Sequence, residues 1–233
     1  PKYVGDPINA VKIFNEKLVD ELIVTDIDAS VNNIEPDYDL IEKIAMECRM
    51  PLCYGGGIKN DKQAKRIFNL GVEKISISSS AINSPTIISE LAESVGNQSV
   101  VVVLDIKKKY FSNNYNVLTN NGKEKTGINL KSFVSSLKKL GAGEIVLNSI
   151  DRDGTMQGYD YNAIDIVRAN TTLPLTVLGG AGSLNHIEEL ISKYGIIGAA
   201  AGSLFVFKGK YKAVLINYPD EKDKMNLFKK IRT

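Results

Sequence analysis

The chain has no tryptophan, one histidine (His186) and two cysteines (Cys48 and Cys53) among its 233 residues. Two cysteines make no disulfide framework and their spacing matches no zinc pattern, so both are expected as reduced core thiols. A single histidine, placed early in a helix-like segment, is expected at the surface, and no Ser–His or Cys–His arrangement is evident. No metal cluster with ligand spacing is present, and no cofactor or metal is expected. No apolar run approaches the roughly 18 residues of a membrane span, and no signal peptide is visible. The net charge is only +2, with Lys and Arg spread along the chain. Nucleic-acid binding would need clustered positive charge. The expectation is a cytoplasmic protein with no nucleic-acid and no membrane partner. An initiating Met is also lacking, since the chain opens PKYVGDP.

What is present is a repeat. MPLCYGGGI (Met50 to Ile58) returns as LPLTVLGGAG (Leu173 to Gly182). Shifted by 123 residues, Glu21 to Asp28 falls on Glu144 to Asp151, and Pro51 on Pro174. Gly56-Gly57 falls on Gly179-Gly180, and the segment from Asp6 falls on that from Asn129. Past the glycines the shift becomes 124, and Leu70 to Ala81 falls on Tyr194 to Phe205. Two copies of one half imply a structural repeat.

Within each half, apolar runs of strand length alternate with segments of helical spacing, such as Ile41, Ile44, Ala45 and Cys48, or Ile87, Leu91 and Ala92. Ser84-Pro85 reads as a helix start, with Ser at the N-cap. Strands are expected to begin near Leu22, Leu52, Lys74, Ser99, Ile145, Leu175 and Ile196. Such alternation means a parallel sheet covered by helices, and glycine-rich strand ends in two halves favour a closed (βα)8 TIM-type barrel. A single domain over residues 1–233 is expected, with half-barrels of about 1–98 and 99–233. The mate of SVVVVLDIKK would lie before the first residue quoted. The first barrel strand is therefore expected to be missing from this span.

The site of such a barrel lies at the C-terminal ends of its strands. Gly56 and Gly57 end one run and Gly179 and Gly180 its copy; Ser78-Ser79 and Gly202-Ser203 stand beside them in barrel order. Glycine admits backbone N–H groups close to an anion, and hydroxyls complete the cup. Two such sets point to a substrate carrying a phosphate at each end. Asp105 ends a run of Val and Leu, where an ionised carboxylate is costly without a task, and is the catalytic candidate. The loop IDRDGTMQGYD places Asp153, Gly154 and Thr155 toward substrate, and Asp151 beside them. Asp26 and Asp28 are given a structural or ligand-positioning role. Glu21, Lys74 and Glu144 stand at strand starts and are expected to meet as a polar gate at the bottom of the barrel. Residues 108–127 alternate like a small hairpin, with turn signals at Asn113-Asn114, and read as a lid or partner surface.

Together the stretches GDPINAVKIFNE, VDELIVTDIDAS, YGGGI, GVEKISI, QSVVVVLDIKK, KTG, GAGEIVLNSIDRDGT, LGGAG and GSLF resemble the cyclase subunit of imidazole glycerol phosphate synthase. The resemblance implies a (βα)8 synthase in a heterodimer with a glutaminase. Ammonia released there passes up the barrel to a ribulosyl substrate with two phosphates, and an imidazole ring closes. Of the family's two catalytic aspartates one matches Asp105; the other belongs to the strand missing here. Its phosphate contacts match Gly57, Ser79, Gly180 and Ser203, and its charged gate matches Glu21, Lys74 and Glu144. Where this chain has Ser78-Ser79, Asn148 and Leu178, the family usually shows Asn-Thr or Asn-Ser, Thr and Ser. Asn148 is counted with the substrate-binding set. These departures, and the ending GSLFVFKGKYKAVLINYP, look more like a paralogous branch that converts acetamido to acetamidino groups on surface-polysaccharide sugars. That branch implies a nucleotide-sugar or other phosphorylated substrate and a third amidotransferase protein. The alternatives are a histidine-pathway cyclase, the related phosphoribosyl isomerase, and a scaffold that only conducts ammonia.

Overall fold

The computed structural model describes residues 2–110, 112 and 114–231. In chain order the elements are α1 (Pro7–Glu16), β1 (Leu22–Thr25), α2 (Tyr38–Glu47), β2 (Leu52–Gly55), α3 (Asp61–Asn69), β3 (Lys74–Ile77), α4 (Ser79–Asn83) and α5 (Thr86–Val95). Then follow β4 (Val100–Lys108), β5 (Tyr115–Thr119), β6 (Glu124–Lys125), α6 (Leu130–Leu140), β7 (Glu144–Ser149), α7 (Tyr161–Arg168), β8 (Leu175–Leu178) and α8 (Leu184–Tyr194). The chain continues through β9 (Gly198–Ala199), α9 (Ser203–Val206), β10 (Phe207–Lys208), β11 (Ala213–Val214) and α10 (Glu221–Ile231).

The repeat is written into the helix caps. Asp6 and Asn129 each accept a hydrogen bond from the backbone N–H three residues on, at Asn9 and Ser132. Asp37 and Asp160 do the same for α2 and α7, and Asn60 and Ser183 for α3 and α8. Each cap satisfies an N–H that the first helical turn leaves unpaired.

The parallel strands run in the order β1-β2-β3-β4-β7-β8-β9, the α/β arrangement of a TIM-type barrel. Among the described residues no pairing joins β1 to β9. The C-terminal segment packs against the residues before β1 and after β9. Tyr218 packs its ring 4.8 Å from Phe205 and donates its hydroxyl to Asp20 at 2.6 Å, just before β1, while Lys224 reaches the same carboxylate at 2.9 Å.

β4 is buried at Val100, Val101, Val102, Leu104 and Ile106, which lie on both of its faces, because helices cover one and the barrel interior the other. Val100, Val102, Leu104 and Ile106 join the large outer core under the helices. Val101 and Val146 join Cys53 in a separate inner cluster, against which Ile23, Val103 and Leu178 pack. Fully burying each large aliphatic side chain contributes about 1.5–3 kcal/mol. Cys53 and Cys48 are free thiols, and burial pushes the Cys53 pKa up to about 12, which keeps its proton on.

Three expectations change. Ile196 is 98% exposed and β9 starts at Gly198, so the apolar residue belongs to the loop. Ser84 does not cap α5 with its side chain; its own N–H closes α4 on the Ser80 carbonyl, which commits it to the end of the preceding helix. His186 is half-buried, and its Nδ1 accepts from the Gly182 N–H at 3.1 Å, which pins the glycine loop after β8. The hairpin forms as β4–β5–β6, although Asn113 of its expected turn lies outside the described residues.

Candidate functional site

Alternation along the strands sets three levels inside the sheet. Lys74 and Glu144 begin β3 and β7, and Val101 is registered opposite Glu144 on the intervening β4. Two residues further up come Val103 and Val146, and two more bring Asp105 and its registered partner Asn148. Four residues of strand span about 13 Å.

At the lower level Lys74 Nζ stands 2.9 Å from Glu21 Oε1 and 2.9 Å from Glu144 Oε2. Burial works to lower the Lys74 pKa, but the hydrogen bonds to the two carboxylates win and raise it, so the ammonium is held firmly charged. Thr176 of β8 completes the cluster by donating to Glu144 Oε1 at 2.7 Å. Sequence reasoning missed Thr176. Its place two residues before the inward Leu178 was the available signal.

At the upper level Asp105 is half-buried, and Asn148 Nδ2 donates to its Oδ1 at 2.7 Å. Burial pushes the Asp105 pKa up, the Asn148 hydrogen bond pulls it down, and Asp153 pushes it up again; the net direction is upward. A carboxyl so poised can take and return protons nearer neutrality than a solvated one. The hairpin above it is tied to the rim. Tyr115 donates to Asp160 at 2.8 Å, and the Asn120 N–H donates to Ser79 Oγ at 3.0 Å. Ser79 is thus engaged by the hairpin, whereas Ser78 Oγ is buried with no partner among the described residues.

Asp153, Gly154, Gly179, Gly180, Gly202 and Ser203 line one small cleft at the C-terminal ends of β7, β8 and β9. Thr155, expected with them, instead donates to the Arg152 carbonyl at 2.7 Å. Asp26 Oδ1 accepts from the N–H groups of Asp28 and Ala29, and Asp151 Oδ2 from that of Lys108, so both carboxylates brace loops. A Cβ at Gly56 or Gly57 would run into the carbonyl of Asp26 or Ile34, and one at Gly179 into that of Ser149. Among the described residues no group of three His, Cys, Asp or Glu could hold a metal ion, and no helix is long and apolar enough to cross a membrane.

Two glycines of the cleft are glycine for different reasons. Gly180 has φ +106°, and a Cβ there would stand 2.1 Å from the Gly158 carbonyl oxygen, while the Gly158 N–H donates to the Gly180 carbonyl at 2.7 Å. Gly202 has φ −101° and a Cβ there would meet nothing within 4 Å. Gly180→Ala is therefore expected to cost about 2 kcal/mol or more, roughly 4–8 °C in Tm. Gly202→Ala should leave Tm unchanged and weaken binding of a phosphate-bearing ligand about fivefold or more, through the space it fills. Thermal melts with phosphate titration check both. A Gly202→Ala protein that binds phosphate like the wild type would remove Gly202 from the anion site.

A family profile described as histidine biosynthesis protein matches residues 1–212. A protein of Leptospira borgpetersenii, provisionally named imidazole glycerol phosphate synthase subunit HisF, is 59% identical over 227 residues, 97% of this chain and 89% of its own length. One of Vibrio vulnificus (strain YJ016), provisionally named imidazole glycerol phosphate synthase subunit hisF3, is 59% identical over 223 residues, 96% and 86% of the two lengths. The imidazole glycerol phosphate synthase subunit HisF of Clostridium botulinum (strain Okra / Type B1) is 40% identical over 207 residues, 89% and 82% of the two lengths.

Proposed function

The chain belongs to the histidine biosynthesis protein family and is an enzyme subunit of the imidazole glycerol phosphate synthase type, and from that premise we propose that it receives ammonia from a glutaminase partner and adds it to a phosphorylated substrate. The observation that carries this reading is the vertical arrangement. A charged cluster of Glu21, Lys74 and Glu144 sits at the strand starts, Val103, Val146 and Leu178 form an apolar middle, and Asp105 stands on the same inner face above. An apolar interior passes a small neutral molecule and resists ions. The end that bears the charged cluster also exposes Leu18, Met46 and Ile196, on the loops and helix end that lead into β1, β2 and β9. Apolar side chains around a charged centre suit a covering partner subunit.

Above the cluster, the glycines and Ser203 of the cleft would hold one phosphate and Gly56, Gly57, Ser78 and Ser79 the other, while Asp105 exchanges protons with the reacting carbon and nitrogen. Within this frame we place the chain in the branch that turns an acetamido into an acetamidino group on a surface-polysaccharide sugar, together with a third protein. The support is twofold: Ser78-Ser79, Asn148 and Leu178 depart from the histidine pattern, and the 59% identical relatives carry provisional, partly numbered names whereas the 40% relative does not. The second reading is cyclisation in histidine synthesis, favoured by Asp105 at the barrel mouth. The deciding measurement feeds the histidine-pathway ribulosyl substrate and excess ammonium chloride to the purified protein. No imidazole glycerol phosphate is expected from a folded, phosphate-binding protein; its formation would assign the histidine reaction instead. Failure to co-purify with any glutaminase would sink the ammonia reading altogether.

A further inference from the structure

We propose that Asn148 docks the incoming ammonia beside Asp105: its amide nitrogen is committed to the carboxylate, and its amide oxygen accepts an ammonia N–H. The proposal rests on the ammonia-receiving reading above and adds the residue that stops the molecule at the top of the barrel. Asp105 and Asn148 are registered partners on β4 and β7, and the 2.7 Å bond from Nδ2 to Asp105 Oδ1 fixes which way the amide faces. An ionised carboxylate only accepts, so the nitrogen must point at it and the oxygen must point away. That oxygen is buried and has no partner among the described residues. Native folds leave few such acceptors unpaired, and each asks for a ligand or water.

The space beside it is kept clear. A Cβ at Gly179 would lie 3.3 Å from Asn148 Oδ1. The ligand must bring a donor, because the oxygen can only accept, and the Asp105 carboxylate bonded to the same amide repels an anion at that point. Other charges nearby are already engaged: Lys107 of β4 lies 3.9 Å from Asp151, and Leu118, opposite Asp105 on β5, carries none. The approach from below is lined by Val103, Val146 and Leu178, which favours a small neutral molecule. Ammonia meets every condition. Asn148 is thus a positioning residue for Asp105 and a binding residue for the nucleophile.

The test needs no turnover. The full chain is labelled with 13C at aspartate carboxyls, and the Asp105 signal is assigned by its loss in Asp105→Asn. Ammonium chloride is then titrated at mildly alkaline pH, with sodium chloride as the ionic-strength control. In the wild type the Asp105 signal should move saturably with ammonium and not with sodium. In Asn148→Ala the response should vanish or weaken about tenfold, and the Asp105 titration midpoint should rise, since the donor favouring its ionised form is gone. Asn148→Thr keeps a hydroxyl that can donate to Asp105 but has no amide oxygen; it should keep the midpoint near that of the wild type and still respond weakly. An equal ammonium response in wild type and Asn148→Ala, no response in the wild type, or an unmoved midpoint would overturn the proposal. A clear response in a protein that converts no offered substrate would leave the docking site standing and sink the substrate assignment instead.

Discussion

Asp105→Asn is expected to lower kcat by about 10²–10⁴-fold, the usual worth of a general acid–base group, with little change in KM. The substitution keeps the fold, because Asn148 Nδ2 can donate to the new amide oxygen as it does to the carboxylate at 2.7 Å. It should even stabilise the protein at neutral pH. Burial raises the Asp105 pKa in the folded state, so the folded chain holds its proton over a range where the unfolded chain has lost it. Stability from this group is therefore fully present below the ordinary carboxylate pKa and is lost as pH rises through the raised folded value. At pH 7 the wild type bears the cost of a buried charge that Asp105→Asn does not have. Melts at pH 7 and near pH 4 read this directly: the variant should melt higher at pH 7, and the gap should close in acid, where both side chains are neutral. Full activity in the variant would refute the catalytic role. An unchanged gap between the two pH values would refute the account of its electrostatics.

Lys74→Met should separate the two sources of nitrogen. In the wild type Lys74 balances Glu21 and Glu144 at 2.9 Å each. Without it two carboxylates face each other with no cation between them, and Thr176 remains the sole described hydrogen-bond donor to the Glu144 side chain. The cost to stability is expected at roughly 1–3 kcal/mol, below that of breaking a fully buried pair because Glu21 is partly exposed. The larger effect is on coupling. Turnover fed by ammonium chloride should stay close to that of the wild type, since ammonium can reach Asp105 from the open end of the barrel. Turnover fed by glutamine through the partner subunit should fall at least about tenfold, or the glutamine hydrolysed should far exceed the product formed. Equal losses with both nitrogen sources would mean that the charged cluster supports the fold and does not govern passage.

Much of this was readable in the chain. The repeat located the strands, and the inward alternation in VVVVLDIKK placed Asp105 on the same face as Val101 and Val103. The caps Asp6, Asp37 and Asn60, with their copies Asn129, Asp160 and Ser183, are equally local, because each bonds an N–H three residues away. Periodicity and capping involve neighbours in sequence, so the sequence by itself determined most elements, their order and the inner face of β4, though it misplaced Ile196 and the Ser84 cap.

What the tertiary structure alone decided are particular meetings. Asp105 finds Asn148 across 43 residues, and Glu144, already expected beside Lys74, also takes Thr176 across 32. Tyr218 finds Asp20 across 198. Such pairs depend on strand order and register, which no short window of sequence contains. The glycines teach the same lesson. Gly180 and Gly202 are alike on paper, yet one is held against the Gly158 carbonyl and the other borders open space. Only the packing of one loop against another tells a residue that is glycine for the sake of the fold from one that leaves room for a ligand.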